Sequence, residues 1–578
     1  MDYDKVFNYP RPQLRRDSFV NLNGKWDFAF DQDNKGESLG FIKGFKKQKD
    51  IIVPFPYETQ ISGIGIVDLY ENVWYQKIIN LQKKEHKRYI LHLEGSDYIT
   101  KVYVNSEFVG EGKGAYHRLS FDITDHTKDG DNLIVIKCED SYSKNQPRGK
   151  QRTRNENYEC FYVDFVGIYK TVWLEEVNEI YLQKLRITPH LDERTVELKY
   201  LISENDNTQI DISILFDNQE VSHFHKQIQN KEEVATCLLD EIKPWSVKEP
   251  NLYDVVITLL DNNNQILDKV NSYFGLRKIE AKDSFIYLNN EKLYLKLVLD
   301  QGYWQGSSST PKDVEALKKD LLLMKEFGFN GCRKHEKTED ERFLFLADYF
   351  GYLVWEEIPS FFQFNDESKD NYRYELPLIL EDNYNHPSII TWTLFNESWG
   401  IDSILDDKNV QAFVDEMYYL TKEFDKTRFV ITNDGWEHTL SDIITFHHYA
   451  QEGEKLYSYY VDKNIALTEI WKDHWKGAFA HGYEYKGQPI IFSEFGGTAF
   501  SKDTFNVNWG YGSGVANTKE FIDRVDLLFK ALQDIPYLSG YCYTQASDVE
   551  QEVTGLLDRD HNPKIDPKLL KAIQDRRE

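Results

Sequence analysis

Cysteine is scarce in this chain of 578 residues, which has only five, scattered and odd in number. No pair has the close spacing of a zinc knuckle or a Cys-x-x-Cys redox motif, and a disulfide framework normally uses a denser, even set. Free cysteine usually behaves as a small buried apolar side chain. We therefore expect free thiols in a reducing compartment.

Long hydrophobic runs are also missing. No stretch of about 18 apolar residues occurs, so no transmembrane helix is predicted. The opening segment, MDYDKVFNYPRPQL, lacks the apolar core of a signal peptide. These absences predict a cytoplasmic protein that does not bind membranes.

Positive charge is in deficit, with 69 Lys and Arg against 96 Asp and Glu, a net charge of −27. Nucleic-acid binding depends on cations that neutralise phosphates, so no nucleic-acid partner is expected. Aromatic residues are abundant, with 35 Phe, 12 Trp and 37 Tyr. They supply enough apolar area for large buried cores and argue against disorder.

Two series of short strands fill the first half of the chain. Residues 1–180 contain runs such as KVYVN and LIVIK, in which apolar and polar residues alternate between turn signals. This pattern predicts a β-sandwich of the jelly-roll type. Residues 181–278 contain a second series, including TVELKYLI and QIDISILF, whose length of near 100 residues suits an immunoglobulin-like β-sandwich.

Residues 279–578 have a different pattern, in which short apolar runs alternate with helical segments such as 312–327 and 519–532. This alternation is typical of a parallel βα array. The predicted strands are Leu293–Leu299, Asn330–Arg333, Leu353–Trp355, Ile389–Phe395, Phe429–Thr432, Ile443–Phe446, Ile490–Ser493 and Gly540–Tyr543. Eight strands with helical crossovers predict a C-terminal (β/α)8 TIM barrel.

The active site of such a barrel lies at the carboxyl ends of the strands, where the βα loops converge. The fourth predicted strand is followed by Asn396 and Glu397, and the seventh leads into Glu494. Two carboxylates at one pocket can hydrolyse a glycosidic bond, because one protonates the leaving oxygen while the other stabilises or attacks the anomeric carbon.

Other acidic residues follow strands of the same barrel and are candidates by the same reasoning. Each could also cap a helix or pair with an arginine, so position alone does not rank the carboxylates. These rivals are Glu356, Glu357, Asp434, Glu437, Asp548 and Glu550.

Several segments resemble those of glycoside hydrolase family 2, which contains β-galactosidases, β-glucuronidases and β-mannosidases. NHPSIITWTLFNESWG and PIIFSEFGG resemble its acid/base and nucleophile segments. RRDSFVNLNGKWDFAF, VPFPYETQISGIG, GIYKTVWLE, FGLRKIE, FNGCRKHEK and NDGWEH are similar to other family segments and follow in family order. The resemblance covers nearly the whole chain and implies a jelly roll, an immunoglobulin-like domain and a catalytic barrel.

The resemblance also implies roles for individual residues. Glu397 resembles the general acid/base and Glu494 the nucleophile, while Asn396 resembles the residue that binds the sugar 2-hydroxyl. Tyr449 matches the tyrosine that donates to the nucleophile. Arg333 matches an arginine that usually holds the nucleophile, although it could instead bind a substrate anion.

Further substrate contacts are expected with open alternatives. His447 is a candidate for substrate contact, and Lys334 could bind a sugar carboxylate or lie in a solvated loop. Trp304 and Trp509 could stack on a pyranose ring or pack under loops. Asp548 could bind a sugar hydroxyl or cap a helix. Glu437 is a further candidate for substrate binding.

Two departures from the family pattern bear on the substrate. Phe161 stands where many relatives have an Asp that reaches the pocket from the first domain, with Asp164 nearer the following glycine. The Asn-x-Lys signature with which typical β-glucuronidases bind the uronic carboxylate is missing, and EQEVTGLLDRD follows strand eight instead. A neutral β-galactoside is therefore the first expectation, and a β-galacturonide or β-glucuronide the second.

The predicted protein is a retaining exo-β-glycosidase that needs no cofactor and no metal, with a homo-oligomer expected by analogy to the family. Two other classes stay open. One is a carbohydrate-binding protein that has lost turnover, and the other is a metal-dependent barrel hydrolase.

Overall fold

The first domain is a β-sandwich whose main apolar core lies between its two large sheets. The computed structural model describes residues 2–469, 476–500 and 509–577. After a short helix, α1 (Tyr3–Phe7), the strands of this domain are β1 (Val20–Asn21), β2 (Gly24–Phe30), β3 (Lys49–Val53), β4 (Asn72–Leu81), β5 (Lys87–Leu93), β6 (Ser96–Asp97), β7 (Ile99–Val104), β8 (Glu107–Lys113), β9 (Leu119–Asp122), β10 (Gly130–Glu139), β11 (Gly167–Ile168) and β12 (Val172–Asn178). The two main sheets have the orders β1-β12-β5-β9 and β3-β2-β4-β10-β7-β8. Their inner faces pack into one cluster.

The second domain is a smaller sandwich. Its strands are β13 (Leu182–His190), β14 (Thr195–Ile202), β15 (Gln209–Phe216), β16 (Gln219–Gln227), β17 (Glu232–Leu238), β18 (Tyr253–Leu260) and β19 (Ile266–Phe274). They form sheets of order β13-β14-β17 and β16-β15-β18-β19. In β14 the buried side chains Val196, Leu198, Tyr200 and Ile202 alternate with more exposed ones, because successive side chains of a strand point to opposite faces.

The third domain begins with a small antiparallel sheet and continues as a parallel barrel. The small sheet consists of β20 (Ile279–Lys282), β21 (Phe285–Leu288) and β22 (Glu291–Leu293). The barrel strands are β23 (Leu295–Asp300), β24 (Gly331–Lys334), β25 (Leu353–Glu357), β26 (Ile389–Thr393), β27 (Phe429–Ile431), β28 (Ile444–His447), β29 (Ile490–Gly496) and β30 (Leu538–Thr544). Their order is β27-β26-β25-β24-β23-β30-β29-β28, with parallel pairing throughout. The three-domain prediction is confirmed, and each barrel strand overlaps a predicted one.

Helices follow most barrel strands. They are α2 (Val314–Glu326), α3 (Glu341–Phe350), α4 (Asp366–Asn383), α5 (Lys408–Phe424), α6 (Gly453–Tyr460), α7 (Lys463–Thr468), α8 (Thr518–Gln533) and α9 (Pro567–Gln574). Helix α2 begins after Asp313, whose side chain accepts a hydrogen bond from the backbone N–H of Ala316. Leu317, Leu321 and Met324 of this helix are buried at helical spacing. None of the helices in the described ranges combines the length and the apolar character that a bilayer crossing requires.

A long loop of the first domain, residues 140–166 between β10 and β11, lies against the carboxyl end of the barrel. The backbone N–H of Arg148 donates to the carbonyl of Ser360 at 2.9 Å. The Gln551 amide donates to the carbonyl of Glu159 at 2.7 Å, and the Tyr162 hydroxyl donates to Glu552. The loop therefore forms part of the wall around the barrel mouth.

Candidate active site

Glu397 lies in a tight turn directly after β26. Its φ is 50° and that of Ser398 is 61°, a left-handed conformation that is unusual for residues other than glycine and often marks a functional site. The Glu397 N–H donates to the carbonyl of Asp434 at 3.0 Å. The Ser398 N–H donates to Asn433 at 2.8 Å, and its hydroxyl donates to Glu437 at 2.7 Å. These bonds hold the turn that presents Glu397 to the barrel mouth.

Glu494 is part of β29 and is almost fully buried, with 6% of its side chain exposed. Nη1 of Arg333 lies 2.6 Å from its Oε1, and the Tyr449 hydroxyl donates to its Oε2. Burial by itself would raise the pKa of Glu494, but the charges of His447 and Arg333 outweigh it and lower the pKa. Glu494 is therefore held as a carboxylate with both oxygens bound.

Glu397 and Glu494 face the same gap. A carboxylate oxygen of each and one ring nitrogen of His447 all lie within 4.8 Å of one another. Glu397 is the more accessible of the two carboxylates, with 19% of its side chain exposed. Two carboxylates that are far apart in the sequence are thus brought to one small space.

The imidazole of His447 lies between acidic groups. Its Nδ1 is 2.8 Å from Glu397 Oε1, and its Nε2 is 3.1 Å from Asp434 Oδ2. Burial would lower the pKa of His447, but the charges of Glu494 and Asp434 outweigh it and raise the pKa to about 10. The ring therefore carries a proton on each nitrogen and donates to Glu397 and to Asp434.

Within the described residues, the cluster of Glu397, His447 and Glu494 has the spacing of a metal site. A histidine that binds a metal must be neutral, with a free lone pair on one nitrogen. Both ring nitrogens of His447 instead lie within hydrogen-bond distance of carboxylate oxygens, of Glu397 and of Asp434. The arrangement suits an ion-pair network better than a metal centre, and the expectation of no metal stays a prediction.

Arg333, in β24, connects several groups of the site. Its fully buried guanidinium donates to Glu357 at 2.6 Å, to Asn396 Oδ1 at 2.6 Å and to Glu494, and it lies 2.9 Å from Asp434. Because Oδ1 of Asn396 accepts from Arg333, its amide nitrogen points elsewhere. That nitrogen has no hydrogen-bond partner in the described part of the chain and can donate to a ligand.

Aromatic rings form one wall beside Glu494. The rings of Tyr449 and Tyr511 are stacked, with centroids 3.4 Å apart and an angle of 3° between their planes. Trp509 lies edge-on to Tyr511 at 5.1 Å, and its backbone bridges to Glu552. Trp509, predicted from sequence as a pocket wall, is therefore one ring away from the tyrosine that contacts Glu494.

Lys334, the predicted partner of a sugar carboxylate, is already neutralised. Its ammonium donates to Asp300 at 2.7 Å and to Glu339 at 2.9 Å, and 1% of its side chain is exposed. The ammonium also lies 3.9 Å from the centre of the Phe343 ring. The structure thus places Lys334 in a buried ion-pair network of the barrel wall, where both of its acidic partners belong to the protein.

Three other predicted contacts have partners of their own. The indole N–H of Trp304 donates to Asp320 at 3.1 Å, and its ring stacks on His561. Asp548 accepts from Lys564 at 2.5 Å, and Glu437 binds Ser398. Trp304 and Asp548 are not brought to the two carboxylates by these contacts, while Glu437 supports the turn that carries Glu397.

The long loop of the first domain reaches the segment after Glu397, and it brings there Lys150, a residue that sequence reasoning missed. Asp164 is clamped between Arg148 and Arg152 and is 1% exposed, while Phe161 packs on Trp399 at 5.3 Å. The ammonium of Lys150 lies 4.9 Å from the centre of the same Trp399 ring, two residues beyond Glu397. No motif marks Lys150, because a single lysine in a long loop carries no periodic or spacing signal.

The fold and the site together define a barrel protein that presents two carboxylates, an amide donor and aromatic walls to one ligand. Family models agree with this description. The model "Glycosyl hydrolases family 2, TIM barrel domain" matches residues 279–576, "Glycosyl hydrolases family 2" matches 180–277, and the family's "sugar binding domain" matches 19–177. The chain belongs to glycosyl hydrolases family 2.

Curated relatives and solved structures are similar over different shares of the chain. A β-galactosidase of Thermoanaerobacter pseudethanolicus is 31% identical over 61% of this chain and 47% of its own length. A β-glucuronidase of Streptococcus agalactiae is 22% identical over 96% of each chain. The solved β-glucuronidase of Ruminococcus gnavus, 18% identical, has a TM-score of 0.80 and covers 97% of this chain and 99% of its own. This chain spans about half the length of the first curated relatives that it matches.

Proposed function

We propose that this protein is a retaining exo-β-glycosidase that works by double displacement. The observation that carries the proposal is the placement of Glu397 and Glu494 oxygens within 4.8 Å of each other at the barrel mouth. Retaining glycosidases hold their two carboxyl groups about 5 to 5.5 Å apart, whereas inverting ones leave a wider gap for a water molecule.

In the first step, Glu494 attacks the anomeric carbon and forms a glycosyl-enzyme, while Glu397 donates a proton to the leaving oxygen. The lowered pKa of Glu494 supports its role as nucleophile, since it stays ionised near neutral pH. In the second step, Glu397 removes a proton from water, which attacks the same carbon and releases the sugar with its original configuration.

The other residues prepare these steps. The free amide nitrogen of Asn396 can donate to the sugar 2-hydroxyl, a bond that strengthens in the transition state. Tyr449 donates to Glu494 and orients it, while the cationic His447 lies against both carboxylates. As Glu494 loses charge on forming the covalent bond, the tyrosine hydrogen bond is free to weaken.

Two classes of terminal sugar are candidates for the substrate. The sequence favours a neutral β-galactoside first and a β-uronide second, and the curated relatives carry both kinds of name. The panel of 4-nitrophenyl β-D-galactoside, glucuronide, galacturonide and mannoside, together with the α-L-arabinopyranoside, distinguishes them by kcat/KM.

The mechanism is tested by trapping the intermediate. A 2-deoxy-2-fluoro glycoside of the preferred sugar should label the enzyme once, with the mass increase on the peptide that contains Glu494. Proton NMR of the first product should show the β-anomer before mutarotation. A carbohydrate-binding protein without turnover would give neither label nor product, and release of the α-anomer first would exclude retention.

A further inference from the structure

Lys150 is a cation of the first domain placed at the mouth of the barrel. Its ammonium lies 4.9 Å from the ring centre of Trp399, which follows the Glu397 turn. Phe161 and Phe362 pack against other parts of that indole, at 5.3 Å and 5.9 Å. The lysine is therefore fixed over an aromatic surface beside the acid/base residue.

The charge of Lys150 is not neutralised by an ion pair within residues 2–469, 476–500 and 509–577. Burial would lower the pKa of Lys150, but interactions with Cys160, Glu552 and Glu494 outweigh it and raise the pKa. The ammonium is consequently charged at neutral pH, and these interactions place it within electrostatic reach of the nucleophile. A half-buried ammonium without a carboxylate partner favours binding of an anion.

Neighbouring cations differ from Lys150 because they have acidic partners. Arg333 pairs with Glu357 and Glu494, and Lys334 pairs with Glu339. A carboxylate on a bound sugar would have to displace one of these buried pairs, which is costly. Lys150 can accept such a carboxylate without breaking an ion pair of the described structure.

The nearby acid, Glu552, is already engaged. Tyr162 and Gln301 donate to its Oε2, and Thr554 donates to its Oε1 at 3.3 Å. Its oxygens are thus occupied by neutral donors of the protein, while the Lys150 ammonium, which interacts with the Cys160 thiol, keeps further hydrogens for a ligand. The Lys150 ammonium therefore supplies a positive charge next to Trp399 that no carboxylate within 4 Å neutralises in the described part of the chain.

We infer that Lys150 binds the carboxylate at C5 of the terminal sugar and that the enzyme therefore acts on β-uronides in preference to neutral β-galactosides. This inference rests on the proposed function and reverses the order of substrates expected from sequence. The lysine replaces, from another domain, the contact that the missing Asn-x-Lys signature provides in typical β-glucuronidases. Lys150 is in this sense a specificity-determining residue rather than a catalytic one.

The test compares Lys150→Met and Lys150→Arg with the wild type on 4-nitrophenyl β-D-galacturonide, glucuronide and galactoside. The wild type should show the highest kcat/KM on a uronide. Lys150→Met should lose at least 100-fold on that substrate, mainly through KM, and change less than about 5-fold on the galactoside. Lys150→Arg should retain part of the uronide activity, and Lys128→Met, at an exposed lysine of the same domain, should behave as the wild type.

Equal losses on both sugars in Lys150→Met, or a wild type that prefers the galactoside, would overturn the inference and leave the glycosidase proposal intact. Sugar binding to the Glu494→Gln variant further distinguishes failure of this inference from failure of the proposed function. Calorimetry with D-galacturonate, D-glucuronate and D-galactose should show uronate binding that Lys150→Met abolishes in the same background. If turnover is absent but this binding pattern holds, the proposed function fails and the carboxylate site stands; if no uronate binds, the inference fails.

Discussion

Nη1 of Arg333 lies 2.6 Å from Oε1 of Glu494, and the same guanidinium reaches Asn396 at 2.6 Å. One buried side chain thus aligns both Glu494, the proposed nucleophile, and Asn396, the proposed donor to the sugar 2-hydroxyl. Since an arginine fork is planar and rigid, it fixes these two groups relative to each other. A lysine could supply the charge but only as a point donor.

Arg333→Lys should therefore keep the positive charge but lose the planar fork that contacts Glu494 and Asn396 at the same time. We expect kcat/KM to fall by roughly 10³ and the free energy of unfolding to fall by about 3 kcal/mol, because Glu357 and Asp434 are left underpaired. Steady-state kinetics and urea unfolding measure the two effects. Arg373→Lys, at an exposed pair with Glu416, serves as the control, and wild-type kcat in Arg333→Lys would contradict the alignment role.

Tyr449→Phe removes the hydroxyl that donates to Glu494. That hydrogen bond lowers the pKa of Glu494, so its loss should move the acidic limb of the kcat/KM profile to higher pH. We also expect kcat to fall by about 10- to 100-fold, since Glu494, the proposed nucleophile, loses a hydrogen bond that orients its carboxylate. Profiles of the wild type, Tyr449→Phe and the exposed control Tyr419→Phe test this, and an unmoved acidic limb would be evidence against it.

Ser398→Ala should loosen the turn that carries Glu397, because Ser398 links it to Glu437. A misplaced acid matters most for leaving groups that need a proton. The variant should lose about 10-fold in kcat/KM on an alkyl glycoside and little on a 2,4-dinitrophenyl glycoside. Ser403→Ala, at an exposed position after the same turn, is the control, and equal losses on both substrates would instead indicate a general packing defect.

His447 links stability to pH. Its pKa is raised to about 10 in the folded protein, against an ordinary value of about 6.5. Its contribution to stability is therefore fully present below pH 6.5 and is lost as the pH rises through 10. Between pH 6.5 and 10, the loss of this contribution should lower the free energy of unfolding by up to about 1.4 kcal/mol for each unit of rising pH.

Urea unfolding at pH 6.5, 8 and 9.5 measures this slope. His447→Gln should be less stable at pH 6.5 and should show a flatter dependence than the wild type. His86→Gln, at a largely exposed histidine, should keep the wild-type slope. Parallel curves for His447→Gln and the wild type would show that the ring is not protonated in the folded state.

Chelation should not affect hydrolysis. The cluster of Glu397, His447 and Glu494 has metal-like spacing, but His447 already donates from both nitrogens. We expect an unchanged rate after dialysis against EDTA and no stimulation by added divalent ions. Activity that disappears on dialysis and returns with a metal would instead favour the metal-dependent hydrolase.

Much of the fold was predictable because it depends on local patterns. Alternating side chains define strands such as β14, and short apolar runs between helical stripes define the barrel. Strand ends in a barrel converge, so the positions of Glu397 and Glu494 at the ends of the fourth and seventh strands predict that they share one mouth. The resemblance of their flanking segments to glycoside hydrolase family 2 then distinguishes them from the other strand-end carboxylates.

The partners of the charged residues were not predictable in this way. Arg333 and Lys334 are adjacent in sequence, yet Arg333 contacts Glu494 while Lys334 is bound by Asp300 and Glu339. Adjacent side chains of a strand point to opposite faces, so each meets the partners that packing supplies there.

The order of residues along the chain was therefore enough to predict the three domains, the barrel and the two carboxylates. Packing of the domains was needed to show that Lys150 of the first domain reaches the Trp399 ring and that His447 lies between Glu397 and Asp434. The difference arises because electrostatic contacts depend on distances of a few ångströms between segments far apart in the chain. Domain packing fixes these distances, and no local pattern of residues encodes them.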